Sequence, residues 1–154
     1  MAETLGSLCD KLTIVQLKVW HSEDPARISS LNEQSAALQE EMNRFMQDAI
    51  SGHIPAEKLT FAANKVYKRN GNEIQEASGT IGQLFAELAA VNCELWHEQE
   101  KVYDFAAVPV PEKDGVVRSL AHLNLRRNQC IDAIDRGFRD LIRIHHDSDR
   151  QSDS

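Results

Sequence analysis

One segment is written twice in this chain, and the repetition limits its possible folds more than any other feature. "TLGSLCDKLTIVQLKVWHSED", Thr4 to Asp24, returns as "TIGQLFAELAAVNCELWHEQE", Thr80 to Glu100, at a constant offset of 76. The identical positions are Thr4/Thr80, Gly6/Gly82, Leu8/Leu84, Leu12/Leu88, Val15/Val91, Trp20/Trp96 and His21/His97. Apolar residues fall at Leu5, Leu8, Leu12, Val15 and Val19 in the first copy, and at Ile81, Leu84, Leu88, Val91 and Leu95 in the second. Alternating steps of three and four put each set on one stripe of a helix that faces other helices. Thr4 and Thr80 stand at the N-cap, with Ser7 and Gln83 three residues on as capping-box partners.

Each copy is followed by a second helical pattern. Ser30-Leu-Asn-Glu33 reads as a capping box that opens a helix with Leu31, Leu38, Met42, Phe45 and Ala49 on one face, ending at Ser51-Gly52. Its counterpart carries Leu120, Leu123, Ile131, Ile134, Phe138 and Leu141, and Leu31-Asn32 matches Leu123-Asn124. Arg139, Arg143, His145 and His146 suit the negative end of that helix. Between the second pair of helices, Phe105 to Gly115 holds two prolines and reads as a long turn, a candidate lid or partner-binding loop. Pro55 to Ala77 reads as one or two extra helical turns beside the bundle, with Leu59, Ala62, Val66 and Ile74 apolar. Only "DFAAVPV" looks extended, and its prolines spoil a strand.

The expected fold is all-α: an antiparallel up-down bundle of two similar helical hairpins with a helical insertion. One domain spans 1–146, with repeats over 4–50 and 80–142 and the insertion over 53–79; residues 147–154 form a disordered polar tail. A length of 154 residues suits one core, and 42% hydrophobic with 27% charged residues is the balance of a soluble globular protein. No apolar run approaches the roughly 20 residues of a membrane span, and no basic-then-apolar leader opens the chain, so the expectation is a cytoplasmic protein with no membrane insertion. Cys9, Cys93 and Cys130 sit among apolar neighbours without zinc spacing, as reduced thiols do. A net charge of −7 repels a phosphate backbone, and the best basic patch, Lys65 to Gly71, is short; nucleic-acid binding is not expected. Apolar stripes on four helices of a small chain suggest a homodimer.

The candidate site lies where the repeated helices end. Antiparallel packing brings Asn32 towards Trp20, His21, Asp24 and Arg27, and Asn124 towards Trp96, His97 and Glu100. Gln16, Trp20 and Asp24 are four apart, as are Asn92, Trp96 and Glu100, so each trio shares a helix face. Arg127 stands where the rhythm from Leu123 expects an apolar residue. The bland reading makes the tryptophans core plugs and pairs Arg27 and Arg127 with Asp24 and Glu100. The functional reading is a site for a small anionic or carbohydrate-like ligand, with Trp faces for stacking and Arg, His and Asn for hydrogen bonds. A divalent metal is the alternative, because Glu94-Leu-Trp-His97 matches the Glu-x-x-His pair of di-iron bundles; otherwise no cofactor is expected. The equivalent of Glu94 in the first copy is Lys18, which cannot ligate while protonated. The all-α nucleoside triphosphate pyrophosphohydrolases pair Glu-x-x-Glu with a later Glu-x-x-Asp, and Glu73-Ile-Gln-Glu76 supplies only the first half. No nucleophile elbow, phosphate loop or dinucleotide fingerprint is present.

Asp10, Lys11, Leu12 and Ile14, followed later by Asn92, Leu95, Trp96 and Glu100, give the chain a resemblance over residues 4–142 to an uncharacterised bacterial helical family, domain-of-unknown-function family 4254. Gln99 departs from that family's usual acid. The resemblance implies an all-helical cytosolic protein associated with cell-surface polysaccharide genes, and it brings no catalytic residues. The expected function is a non-enzymatic binding or scaffold protein, accessory to envelope polysaccharide metabolism. The rival is a metal-dependent or hydrolytic enzyme using His21, His97, Glu94, Asp24, Glu100 and Arg127.

Overall fold

Both copies of the repeated segment open on the capping boxes their sequences contain. In the computed structural model, which describes residues 3–61 and 77–152, α1 spans Leu5–Trp20 and α3 spans Ile81–Tyr103. The Ser7 N–H donates to Thr4 Oγ1 at 3.2 Å while Ser7 Oγ accepts from the Thr4 N–H at 2.9 Å. Thr80 and Gln83 repeat the exchange at 3.3 and 3.0 Å. The antiparallel partners are α2, Pro25–Ser51, and α4, Val110–Ser152, and no strand occurs among the described residues. The all-α hairpin architecture expected from the repeat is therefore the one observed. Gly52, at φ 84, ends α2 in the left-handed conformation that glycine adopts without a steric penalty.

The apolar stripes meet in the core. Leu5, Cys9, Leu84, Leu88, Cys130, Ile134 and Phe138 form the main cluster, with Ala49 and Leu59 from the α2 end. A smaller cluster of Val91, Leu95 and Leu123 lies towards the C-terminus of α3. α1 packs against each of the other three helices, and α3 packs along α4.

Gly6 and Gly82, identical in the repeat, do different work. A Cβ on Gly6 would stand 2.4 Å from the backbone oxygen of Ile131, whereas one on Gly82 would meet nothing within 4 Å. The bare backbone at Gly6 lets the first turn of α1 press on α4, where the Gly6 N–H donates to Asp135 Oδ1 at 2.7 Å. Asp135 is buried and also takes a hydrogen bond from Thr4. Burial pushes its carboxyl up to about 6, more than the hydrogen bonds pull it down. A folded value above the unfolded one gives stability that is complete below about pH 4 and lost as pH rises through about 6. At roughly 1.4 kcal/mol per pH unit, the gap is worth about 3 kcal/mol. Asp135→Asn should therefore be about 2–3 kcal/mol more stable than the wild type at pH 7.5, with the gain vanishing near pH 4. Urea midpoints at the two pH values check this; a gain independent of pH would contradict it.

Four expectations need correction. α2 starts at Pro25, not at the Ser30–Glu33 box, because the Asp24 side chain accepts the Ala26 N–H at 3.1 Å and Pro25 fits the first turn, where no N–H is needed. Asp24 therefore caps α2 and does not share an α1 face with Gln16 and Trp20. The long turn from Phe105 to Gly115 contracts to Asp104–Pro109, with a short 3-10 turn at Phe105–Ala107. Pro111 falls in the first turn of α4, where the missing N–H costs nothing, and Gly115 is helical. The tail from Asp147 does not fray at once, since α4 continues to Ser152. Of the insertion, a 3-10 turn at Ala56–Lys58 and the buried Leu59 and Ala77 are described. The readings placed on Lys65–Gly71, Val66, Ile74 and Glu73–Glu76 lie outside the described residues.

Candidate functional site

The two Trp-His ends do meet, through one histidine. His21 terminates α1, and its Nδ1 lies 2.8 Å from the Leu17 carbonyl oxygen. A carbonyl only accepts, so Nδ1 carries the proton in that contact. The imidazole stacks on the Trp96 ring at 4.6 Å between centroids and 20° between planes, and meets His97 edge-on at 6.3 Å. Trp96 Nε1–H donates to Glu100 Oε1 at 3.0 Å, one helical turn on, and His97 Nδ1 lies 3.8 Å from Glu100 Oε2. One carboxylate thus holds the Trp96 ring and lies close to the His97 ring.

Beside this platform an open cleft of about 890 Å³ runs between the end of α3, the Asp104–Pro109 connection and the start of α4. His97, Glu98, Glu100, Lys101, Asp104 and Glu112 give its polar lining, and Val108, Pro109 and Val116 its apolar lining. Lys101 is taken by Glu98 at 2.9 Å. Asp104 and Glu112 have no ion pair among the described residues. Lys113 Nζ sits 4.9 Å from the Phe105 ring centroid, which ties the connection to α4. The potential in this cleft is negative, which favours cations and opposes an anionic ligand.

The remaining candidates are elsewhere. Trp20 projects into solvent, so it is neither a core plug nor part of the stack. Arg27 and Asn124 are exposed, and Asn32 borders a shallow depression along α2 with Ile28, Ser29 and Ala36. Asn92 and Arg127 belong to a polar knot in which Asp10, Thr13 and Asn92 are buried and Arg127 is partly exposed. Arg127 grips Asp10 with two N–H groups, Nε to Oδ1 at 2.8 Å and Nη2 to Oδ2 at 2.5 Å. Asn92 Nδ2 donates to Asp10 Oδ1 at 3.0 Å and to Thr13 Oγ1 at 2.7 Å. The expected pairing of Arg127 with Asp24 or Glu100 is thus replaced by one with Asp10, because antiparallel packing sets Arg127 level with the middle of α1. Asp10 raises the affinity of the guanidinium for its proton and keeps it charged. The two motifs behind the family resemblance touch here, through Asp10 of the first and Asn92 of the second.

Sequence reasoning missed Asp10, Thr13, Asp104 and Glu112. For the first two a signal existed: their repeat equivalents are Ala86 and Ala89, so polar groups stand where the second copy has small apolar ones, off the Leu/Val stripe. Cys9 is buried and its thiol is pushed up to about 11, first by burial and then by Asp135 and Asp10. Burial also raises Cys130. Both are poor nucleophiles. Glu94 is exposed, and among the described residues no group of three His, Cys, Asp or Glu residues lies at metal-binding distance. No helix among the described residues is long and apolar enough to cross a membrane. In comparison with known proteins, no family model, curated protein or solved structure matches the chain.

Proposed function

We propose that this chain is a non-enzymatic helical-bundle binding protein, and that the cleft beside the His21–Trp96 stack receives an amine or guanidinium group. The observation that supports this reading is the pair of carboxylates, Asp104 and Glu112, which line the cleft without a cationic partner among the described residues. A cation there gains charge-assisted hydrogen bonds to these carboxylates, beside the Glu100 that also holds Trp96. The ligand class expected from sequence is thereby narrowed: an anion meets repulsion, and a sugar qualifies best if it bears an amine. An accessory role in envelope polysaccharide metabolism is the setting the family resemblance suggests.

The test uses Trp20→Phe, which leaves Trp96 as the single tryptophan. Spermidine should change Trp96 emission saturably, while phosphate and glucose should not. Asp104→Asn combined with Glu112→Gln should weaken spermidine binding by about tenfold or more, the value of one or two charge-assisted contacts. Equal binding of phosphate, or undiminished spermidine binding in the double variant, would refute the reading.

A further inference from the structure

We propose that the cation received at this end of the bundle is presented by another protein, on a basic segment that also carries apolar side chains. The inference rests on the cation-binding reading of the cleft and adds what carries the charge. Trp20 is 85% and Tyr103 88% exposed, with Val110 at 78% and Val117 at 56%. Each adjoins the site along the chain. Trp20 precedes His21 of the stack, Tyr103 precedes the cleft-lining Asp104, Val110 follows Pro109 and Val117 follows Val116.

Trp20 has no packing role that explains its size, since its repeat equivalent Trp96 is the one covered by an imidazole. Exposed Trp and Tyr are the side chains that gain most when a partner covers them. A free amine can fill the acidic cleft, but it cannot also cover aromatic side chains at the ends of α1 and α3 and valines on the first turns of α4. A polypeptide segment can.

Charge selects the kind of polypeptide. Glu98, Glu100, Asp104 and Glu112 outnumber Lys101 in the cleft, Glu23, Asp24 and Asp114 on the same end stand among Lys18, Arg27, Lys113 and Arg118, and the whole chain carries −7, so the acidic excess is concentrated in the cleft itself. A second copy would bring a like-charged end against this one, whereas Lys or Arg side chains on a partner complement it.

The experiment uses the full chain and three probes: spermidine, an amphipathic Lys/Leu peptide and its Glu/Leu counterpart, each titrated calorimetrically. The Lys/Leu peptide should bind at least about tenfold more tightly than spermidine, and the Glu/Leu peptide should not bind. Trp20→Ala with Tyr103→Ala should weaken the Lys/Leu peptide by about tenfold or more, as loss of two anchoring aromatics does, and leave spermidine unchanged. Both side chains are exposed, so an unchanged thermal midpoint verifies that the fold is kept. If spermidine binds while the peptide gains nothing, or the aromatic variant leaves the peptide unaffected, the protein-partner proposal falls and the cation site stands. If neither spermidine nor the basic peptide binds, both fall. Binding of the Glu/Leu peptide, or concentration-dependent self-association that the aromatic variant abolishes, would also overturn the proposal.

Discussion

Gly6→Ala should destabilise the protein by about 3 kcal/mol, whereas Gly82→Ala, the same change at the repeat-related position, should be neutral or stabilising by up to about 1 kcal/mol. The added Cβ at Gly6 meets a backbone oxygen of α4 at 2.4 Å, and neither partner can turn aside as a side chain would. α1 must shift, and the shift lengthens the buried bond between the Gly6 N–H and Asp135. Overpacking and a weakened bond to a carboxylate together give the stated magnitude, roughly 6–12 °C in Tm for a chain of this size. At Gly82 the methyl enters open space, and alanine is the better helix former. Thermal melts of the two variants decide the matter. Equal losses would mean that α1 does not press on α4 as described.

Asp10→Ala should cost about 2–3 kcal/mol, less than the loss of a fully buried pair because the Arg127 side chain is 31% exposed and water can recover part of its solvation. Removal of that carboxylate strands the Arg127 guanidinium and takes one acceptor from Asn92. The cost falls on the buried Asn92, which loses one of its two acceptors, and on the inner part of the guanidinium that water does not reach. The pair itself is worth much less than either single loss suggests. Asp10→Leu with Arg127→Leu should therefore lose markedly less than the sum of the two single changes. A denaturation double-mutant cycle measures the difference, and additive losses would contradict the bidentate pairing.

The fold was legible because its signals are local and repeated. Two capping boxes and two apolar stripes define α1 and α3 without any knowledge of their partners. What was misread is positional: proline stops a helix in its interior and starts one in its first turn, and Pro25 and Pro111 both take the second role. The site was half legible. Trp96, His97, Glu100 and His21 follow from the repeat and the hairpin geometry, but the repeat implies symmetry that the packing breaks. Trp20 and Trp96 are equivalent in sequence, yet only one is covered. The cleft was invisible because Phe105–Gly115 reads as loop; once Val110–Gly115 is helical, Asp104 and Glu112 flank a short connection and line one cleft. Arg127 shows the same limit, since no sequence period specifies which level of a neighbouring helix an arginine will face.

The wide separation in sequence between Gly6 and Asp135, 129 residues apart, bears on the order in which the molecule assembles. Each hairpin closes over a short turn, so each can form early from local contacts. The contacts that join them, Asp10 with Arg127 and Gly6 with Asp135, span most of the chain and should come last. The cleft-lining residues all belong to α3, α4 and their connection, whereas His21 arrives with α1. A newly made chain would thus have its acidic cleft before its aromatic platform, and the site would be completed by the same docking event that completes the fold.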